Sequence, residues 1–252
     1  MIGKRLSEIK GYENIGMYVK FLKGEYLEDL LNGSIYMNNF NYFIELEKES
    51  KEKGQGDKLE VAHVIRSTGV QIIDSDTGMV FGTATMGEMV ERYPGMEKMP
   101  LFCVTHLHSI DFVITKVEND IITAKIDLPL EDQLLFEKTF GETAVILTND
   151  FTDKMIEASN TDKLGIAVGD VQYQDYRYYS PIRKQEFDDM SINILFWKDD
   201  FFKQQREARF VLTEKNVNNH FILNIGNIRD KSKVTTTKEL LTDTEFEIAV
   251  IK

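Results

Sequence analysis

Leu101-Phe-Cys-Val-Thr-His-Leu107, Asp111-Phe-Val-Ile-Thr-Lys-Val117 and Ile121-Ile-Thr-Ala-Lys-Ile-Asp127 follow one another closely, with Glu118-Asn-Asp120 as turn chemistry between the last two. Each run is rich in β-branched and aromatic residues, and the spacing leaves no room for crossover helices. Consecutive strands joined by short turns pair antiparallel. Working back, 61–66, 69–74 and 79–85 read as further strands, with Asp74-Ser-Asp-Thr-Gly78 as a hairpin turn. Residues 86–99, with Met86, Met89, Met96, Met99, Pro94 and Pro100 in or beside them, read as a loop with one helical turn.

The flanks mix both element types. Residues 15–22 read as a strand, Gly24–Gly33 as a short helix and Ser34–Met37 as a strand. Asn38-Asn39 reads as a turn. Residues 40–52 read as a helix with Phe40, Phe43, Ile44 and Leu46 inward, broken at Lys53-Gly-Gln-Gly-Asp57. Helices are expected over 130–140, 150–158 and 192–206. Strands are expected over 143–148, 165–173, 207–213, 220–225 and 245–251. No repeat or linker rich in Pro, Ser or Gly divides the chain. The reading is one α+β domain over 1–252, with a mainly antiparallel sheet and flanking helices.

Composition narrows the function. Of 252 residues, 42% are hydrophobic and 11% aromatic, enough for a substantial core. Thirty Lys and Arg against 42 Asp and Glu give −12. The excess is even: 14 basic and 19 acidic groups in residues 1–126, against 16 and 23 beyond. That field repels phosphate backbones and argues against extended nucleic-acid binding, while suiting a basic protein partner. The single cysteine, Cys103, excludes an internal disulfide or a thiolate zinc site and reads as a buried inert thiol. No signal-type leader or membrane-length apolar run is present, so the expectation is a cytoplasmic protein without membrane association.

Phe201-Phe-Lys-Gln-Gln-Arg-Glu-Ala-Arg-Phe-Val-Leu212 carries the sharpest chemistry. In extended geometry residues two apart share a side, so Gln205, Glu207 and Arg209 face one way. A Gln and a Glu so placed suit a sugar hydroxyl and a developing oxocarbenium ion, and an Arg suits a phosphate or the carboxylate itself. An ordinary ion pair at a strand start fits the same letters. Gly54 and Gly56 permit a tight loop with positive φ. Asp57 and Glu60 then put two carboxylates near a strand start, available to ribose hydroxyls, a metal or a basic partner; the plain alternative is a solvated loop.

His106-Leu-His108 places two imidazoles on one strand face, a geometry used for zinc or iron. It needs a third ligand from Asp111 or a distant carboxylate, and no metal ligand is assigned from the sequence. Tyr173, Tyr176, Tyr178 and Tyr179 with Arg177 and Arg183 make a candidate wall for a nucleotide-type anion, with Tyr176 and Arg177 as its binding residues.

Gln205-x-Glu207 resembles the Gln-x-Glu signature of mono-ADP-ribosyltransferases. That resemblance implies NAD as cofactor, Glu207 as catalytic glutamate and Gln205 beside it. The early strand Met17-Tyr-Val-Lys-Phe21 offers Lys20 where that family holds NAD with Arg or His, so Lys20 and Arg209 are the candidate phosphate ligands. A second resemblance covers more chain. Phe21-Leu-x-Gly24, Leu30-Leu-Asn-Gly-Ser-Ile-Tyr-Met-Asn-Asn-Phe-Asn-Tyr-Phe43, Gly54-Gln-Gly-Asp-Lys-Leu-Glu60 and Gln205–Arg209 are similar to uncharacterised proteins of Firmicutes and their phages. It implies a phage or mobile-element setting and a role in host–phage conflict through a protein partner, as inhibitor or defence component. An NAD-using transferase or glycohydrolase is the alternative.

Overall fold

The computed structural model describes residues 1–50 and 54–249. Strand Pro100–His108 is the hub of an eight-stranded, wholly antiparallel sheet. Thr105 lies opposite both Glu207 and Val19, so strands Glu207–Leu212 and Gly16–Leu22 flank it on opposite edges. Leu101 lies opposite both Val211 and Asn38. Gly16–Leu22 and Ser34–Asn39 therefore share one edge of the hub and fork apart between residues 101 and 105. From there the sheet extends through Thr143–Ile146 to Lys233–Thr236, through Ser34–Asn39 to His220–Asn224, and through Glu207–Leu212 to Ile166–Asp170. A three-stranded antiparallel sheet (Phe112–Glu118, Ile121–Ile126, Glu245–Ala249), a hairpin (His63–Ile73, Val80–Glu91) and one parallel pair (Gln172–Gln174, Trp197–Asp199) complete the strands. Mixed helices and mainly antiparallel sheets make this an α+β fold, as the strand pattern predicts.

The period of two sorts side chains onto two faces. Phe102, Val104, Ala208 and Phe210 enter one core with Met37, Phe151 and Met155. The opposite face carries two apolar clusters. One gathers Leu101, Val211, Phe40, Ile194 and Trp197; the other gathers Val19, Phe21, Leu107, Phe112 and Phe136. Cys103, Thr105, Glu207 and Arg209 lie on that face between them. Apolar burial drives the sheet together at roughly 25 cal/mol per Å², and the polar strip interrupts it at the fork. Among the described residues no helix is long and apolar enough to cross a membrane.

Several expectations are corrected. Residues 61–66 and 69–74 form one strand, His63–Ile73, which passes through Gly69 at φ +65. Residues 86–91 extend its partner rather than looping, because the 63–91 hairpin zips from Ile73 opposite Val80 to His63 opposite Glu91. Asn38 and Asn39 end a strand instead of turning. Asn39 Oδ1 accepts the Tyr42 amide at 2.9 Å and caps the helix Phe40–Ser50 directly, and Nδ2 donates to the Val217 carbonyl at 2.8 Å. Asn39→Ala is expected to cost about 1–2 kcal/mol through the lost cap, read as a lower urea midpoint at unchanged slope. In that helix Phe40 and Ile44 are buried, while Phe43 and Leu46 are half-buried. The expected helix 192–206 is two 3₁₀ turns, Ile192–Phe196 and Asp200–Gln205, around strand Trp197–Asp199. Ser191 and Asp199 cap those turns with their side chains, and pairing with Gln172–Gln174 pulls the middle straight. The expected strand 165–173 breaks at Val171. Helices Pro181–Asp188 and Thr237–Thr242 and strand Lys233–Thr236 were not anticipated. Residues 51–53 of the expected helix and its break, and residues 250–251 of the last expected strand, lie outside the described residues.

Candidate functional site

Glu207 opens its strand opposite Thr105, and Arg209 follows opposite Cys103 on the same face. Arg209 Nε donates to Glu207 Oε1 at 2.6 Å, Nη2 to Glu60 Oε1 at 2.8 Å, and Nη1 to the Leu195 carbonyl at 2.8 Å. Lys198, from the short parallel strand, donates through Nζ to Glu207 Oε2 at 2.6 Å and to Gln205 Oε1 at 2.9 Å, and lies 3.6 Å from Glu60 Oε1. Gln205 Nε2 ties the cluster to the Gly54 carbonyl at 2.8 Å. The Glu207 amide donates to the Tyr173 hydroxyl at 2.8 Å. Phe40 and Phe202 cover Arg209 and Lys198 as ring faces. Arg209 is 0% exposed and Glu60 1%.

Such burial is tolerated only because each charge is met. Burial pushes the Glu207 carboxyl up, but Arg209 and Lys198 together outweigh it and hold the group far below the usual carboxylate range. Burial pulls Lys198 down, and Glu207 with Glu60 more than restores it. Glu60 and Glu207 against Lys198 and Arg209 sum to zero. Asp57, 2% exposed, is the surplus acid: desolvation, then Glu60, raise it to about 7. Its Oδ1 accepts the Leu59 amide at 2.8 Å, and Oδ2 has no partner. Backbone strain borders the cluster, since Val61 has φ 48 and Arg206 φ 47.

Lys20 joins from the fork. The gap between the two diverging strands leaves the Cys103 carbonyl without a strand partner there, and Lys20 Nζ donates to it at 2.6 Å beneath the Phe102 ring. Burial lowers the Lys20 pKa. Lys20, Cys103, Thr105, Gln205 and Glu207 then line a cleft of about 60 Å³. Desolvation, then Glu207, push the Cys103 thiol well up, so it stays protonated.

The structure thus brings Gln205, Glu207, Arg209, Glu60, Asp57 and Lys20 into one neighbourhood. It overturns the solvated-loop reading of Asp57 and Glu60. Gly56 does not have positive φ. Gly56 serves close approach instead, since a Cβ there would lie 2.4 Å from the Glu47 amide nitrogen. Tyr176 is buried, its hydroxyl unpartnered and its ring 4.4 Å from the Arg183 guanidinium. Arg177 points outward into a bidentate pair with Asp175, so it does not join Tyr176 in a binding wall. Arg209 spends its donors inside the cluster, and Arg206 spends two on Asp111 and Asp132, so neither is open to phosphate. Asp111 is not the third ligand of the histidine pair. Asp170 stands there, its Oδ1 2.7 Å from His106 Nδ1. Burial, then His106, lower the His108 pKa.

Sequence reasoning missed Lys198 and a surface cavity beside the 34–39 strand. That cavity, about 320 Å³, lies between Tyr36, Asn38, Tyr42, Glu45, Asn219 and His220. Its signal was available in Asn38-Asn39-x-Asn41 and Asn218-Asn219 on either side of one strand pair. Compared with protein-family models, curated proteins and solved structures, the chain matches none.

Proposed function

We propose that the chain is a binding protein whose 63–91 hairpin docks into an apolar, basic-rimmed groove of a protein partner. One observation carries this. Beyond its base, the hairpin leaves Ile72, Ile73, Met79, Phe81 and Met86 exposed, Met86 at 75% and Phe81 at 70%. Two strands alone are marginal in water, and clustered apolar exposure of this kind marks interaction surfaces. The arm is nevertheless organised. Asp74 Oδ1 accepts the Asp76 and Thr77 amides, which fixes the tip turn, and His63 and Val64 anchor the base. From Val64 to Val90 it carries Arg66 against Asp74, Asp76 and Glu88, 1 − 3 = −2, on a chain of −12. A partner with basic groups around an apolar groove complements that pattern. The proposed setting is the host–phage conflict that the resemblance to phage-associated proteins implies.

A photo-crosslinking residue at position 81 is expected to capture one partner in host cells, and the same residue at exposed position 130 is not. Phe81→Asp is expected to abolish the protein's effect on phage growth. Equal capture from both positions, or an unchanged effect in Phe81→Asp, sinks the proposal.

A second reading keeps NAD, because Lys20, Gln205 and Glu207 line one cleft. It requires that cleft to widen and Glu207 to release Lys198 for a ribose. Nicotinamide release from NAD by the wild type, lost in Glu207→Gln, is the result that reading expects; equal rates from the two proteins end it.

A further inference from the structure

We propose that His106, His108 and Asp170 form a binding site for a first-row divalent cation, zinc above all. The three donors come from two strands of the main sheet separated by a third. His106 and His108 project from the same face of the hub strand, their ring centroids 3.8 Å apart. Asp170 ends strand Ile166–Asp170, and its neighbour across the ladder is Ala208, itself opposite Val104. Ala208 carries only a methyl group on that face. Asp170 can therefore reach over the intervening strand to the histidines.

The distances bring three donors around one point. Asp170 Oδ1 lies 2.7 Å from His106 Nδ1 and Oδ2 lies 3.4 Å from His108 Nε2, so one carboxylate faces both imidazoles. One donor atom from each residue falls within 4.8 Å of the others. Two donors bound to a tetrahedral zinc at about 2.1 Å lie about 3.4 Å apart. The His106–Asp170 contact at 2.7 Å must open by about 0.7 Å to reach that separation, while the His108 contact at 3.4 Å already has it.

The His106 ring is held from two further sides. Tyr18 packs on it with centroids 4.6 Å apart. Gly16 backs it so closely that a Cβ there would meet Nε2 at 2.7 Å. His108 is steadied through its backbone, whose amide donates to Asp111 Oδ2 at 3.0 Å, while Asp111 Oδ1 takes Arg206. These contacts fix the His106 ring and the His108 backbone in place. Two imidazoles and a carboxylate are a donor set for zinc or iron rather than calcium or magnesium. His108 and Asp170 are each roughly half exposed, so the fourth position opens to solvent, the arrangement of reactive rather than purely structural zinc sites.

The test uses the full chain, stripped with a chelator and titrated with Zn²⁺ by calorimetry and with Co²⁺ by absorption. One equivalent should bind, and Co²⁺ should give the intense visible bands of four-coordination. His108→Ala and Asp170→Asn are each expected to weaken binding at least ~100-fold, since losing even an outer partner costs 10–100-fold. His220→Ala, on a separate exposed histidine, should bind as the wild type does. The two ligand side chains are exposed enough for the fold to survive their loss, which circular dichroism checks. No stoichiometric binding by the wild type, a six-coordinate cobalt spectrum, or unchanged affinity in both ligand variants overturns the site. None of these readouts depends on the hairpin or its partner.

Discussion

Lys198→Met is expected to lower the unfolding free energy by about 3–5 kcal/mol, the usual cost of removing one member of a buried ion network. The lysine is buried among two carboxylates, an amide oxygen and the Phe202 ring. Methionine matches the stem and fills the space, so little of the loss comes from a cavity. The cost arises because Glu207 keeps Arg209 but loses its second cation, and Gln205 Oε1 loses its donor. Coupling distinguishes this from generic core damage. In the Lys198→Met/Glu207→Gln double variant the acid no longer needs its cation, so the double loss should fall short of the summed single losses by 1 kcal/mol or more. Urea unfolding of the four proteins closes the cycle. Additive losses would mean that the pair contributes no more than its packing.

This network was half legible. The two-residue period predicts that Glu207 and Arg209 share a face, and they do, because nothing interrupts the ladder from Glu207 to Val211. Glu60 and Asp57 were visible as carboxylates but not as buried ones. Their burial depends on a long-range approach, with Gly54, Asp57 and Glu60 meeting residues up to about 150 positions away in the chain. Lys198 left no trace. Trp-Lys-Asp-Asp inside an apolar run fits a helix as well as a strand, and the local letters do not say that a lysine will be needed between two acids. The same limit hid Asp170. His106-x-His108 announces two ligands by spacing alone, but the third arrives across a strand whose position is set by the whole sheet. The hairpin was legible as strands and turn, yet its exposure was not. Apolar residues there read as core because the sequence does not show that no second layer covers them.

Asp57→Asn is expected to stabilise the protein at pH 8 and to leave it nearly unchanged at pH 4. Asp57 titrates near 7 in the folded chain against 3.8 as its ordinary value, because desolvation and then Glu60 disfavour its charge. A carboxyl with a raised folded pKa binds its proton more tightly in the folded state. Between these two values the folded chain therefore holds more protons than the unfolded one, and stability falls as pH rises. The penalty is absent below pH 4 and complete above 7. A shift of 7 − 3.8, about 3 units, corresponds to about 4 kcal/mol at most, and relaxation around Asp57 Oδ2 reduces what is measured. Asparagine keeps an oxygen for the Leu59 amide and cannot ionise, so the difference in unfolding free energy between the two proteins isolates this one group from every other titration. That difference should grow from near zero to a few kcal/mol across the window. A flat difference would mean that Asp57 does not carry the surplus charge of the cluster.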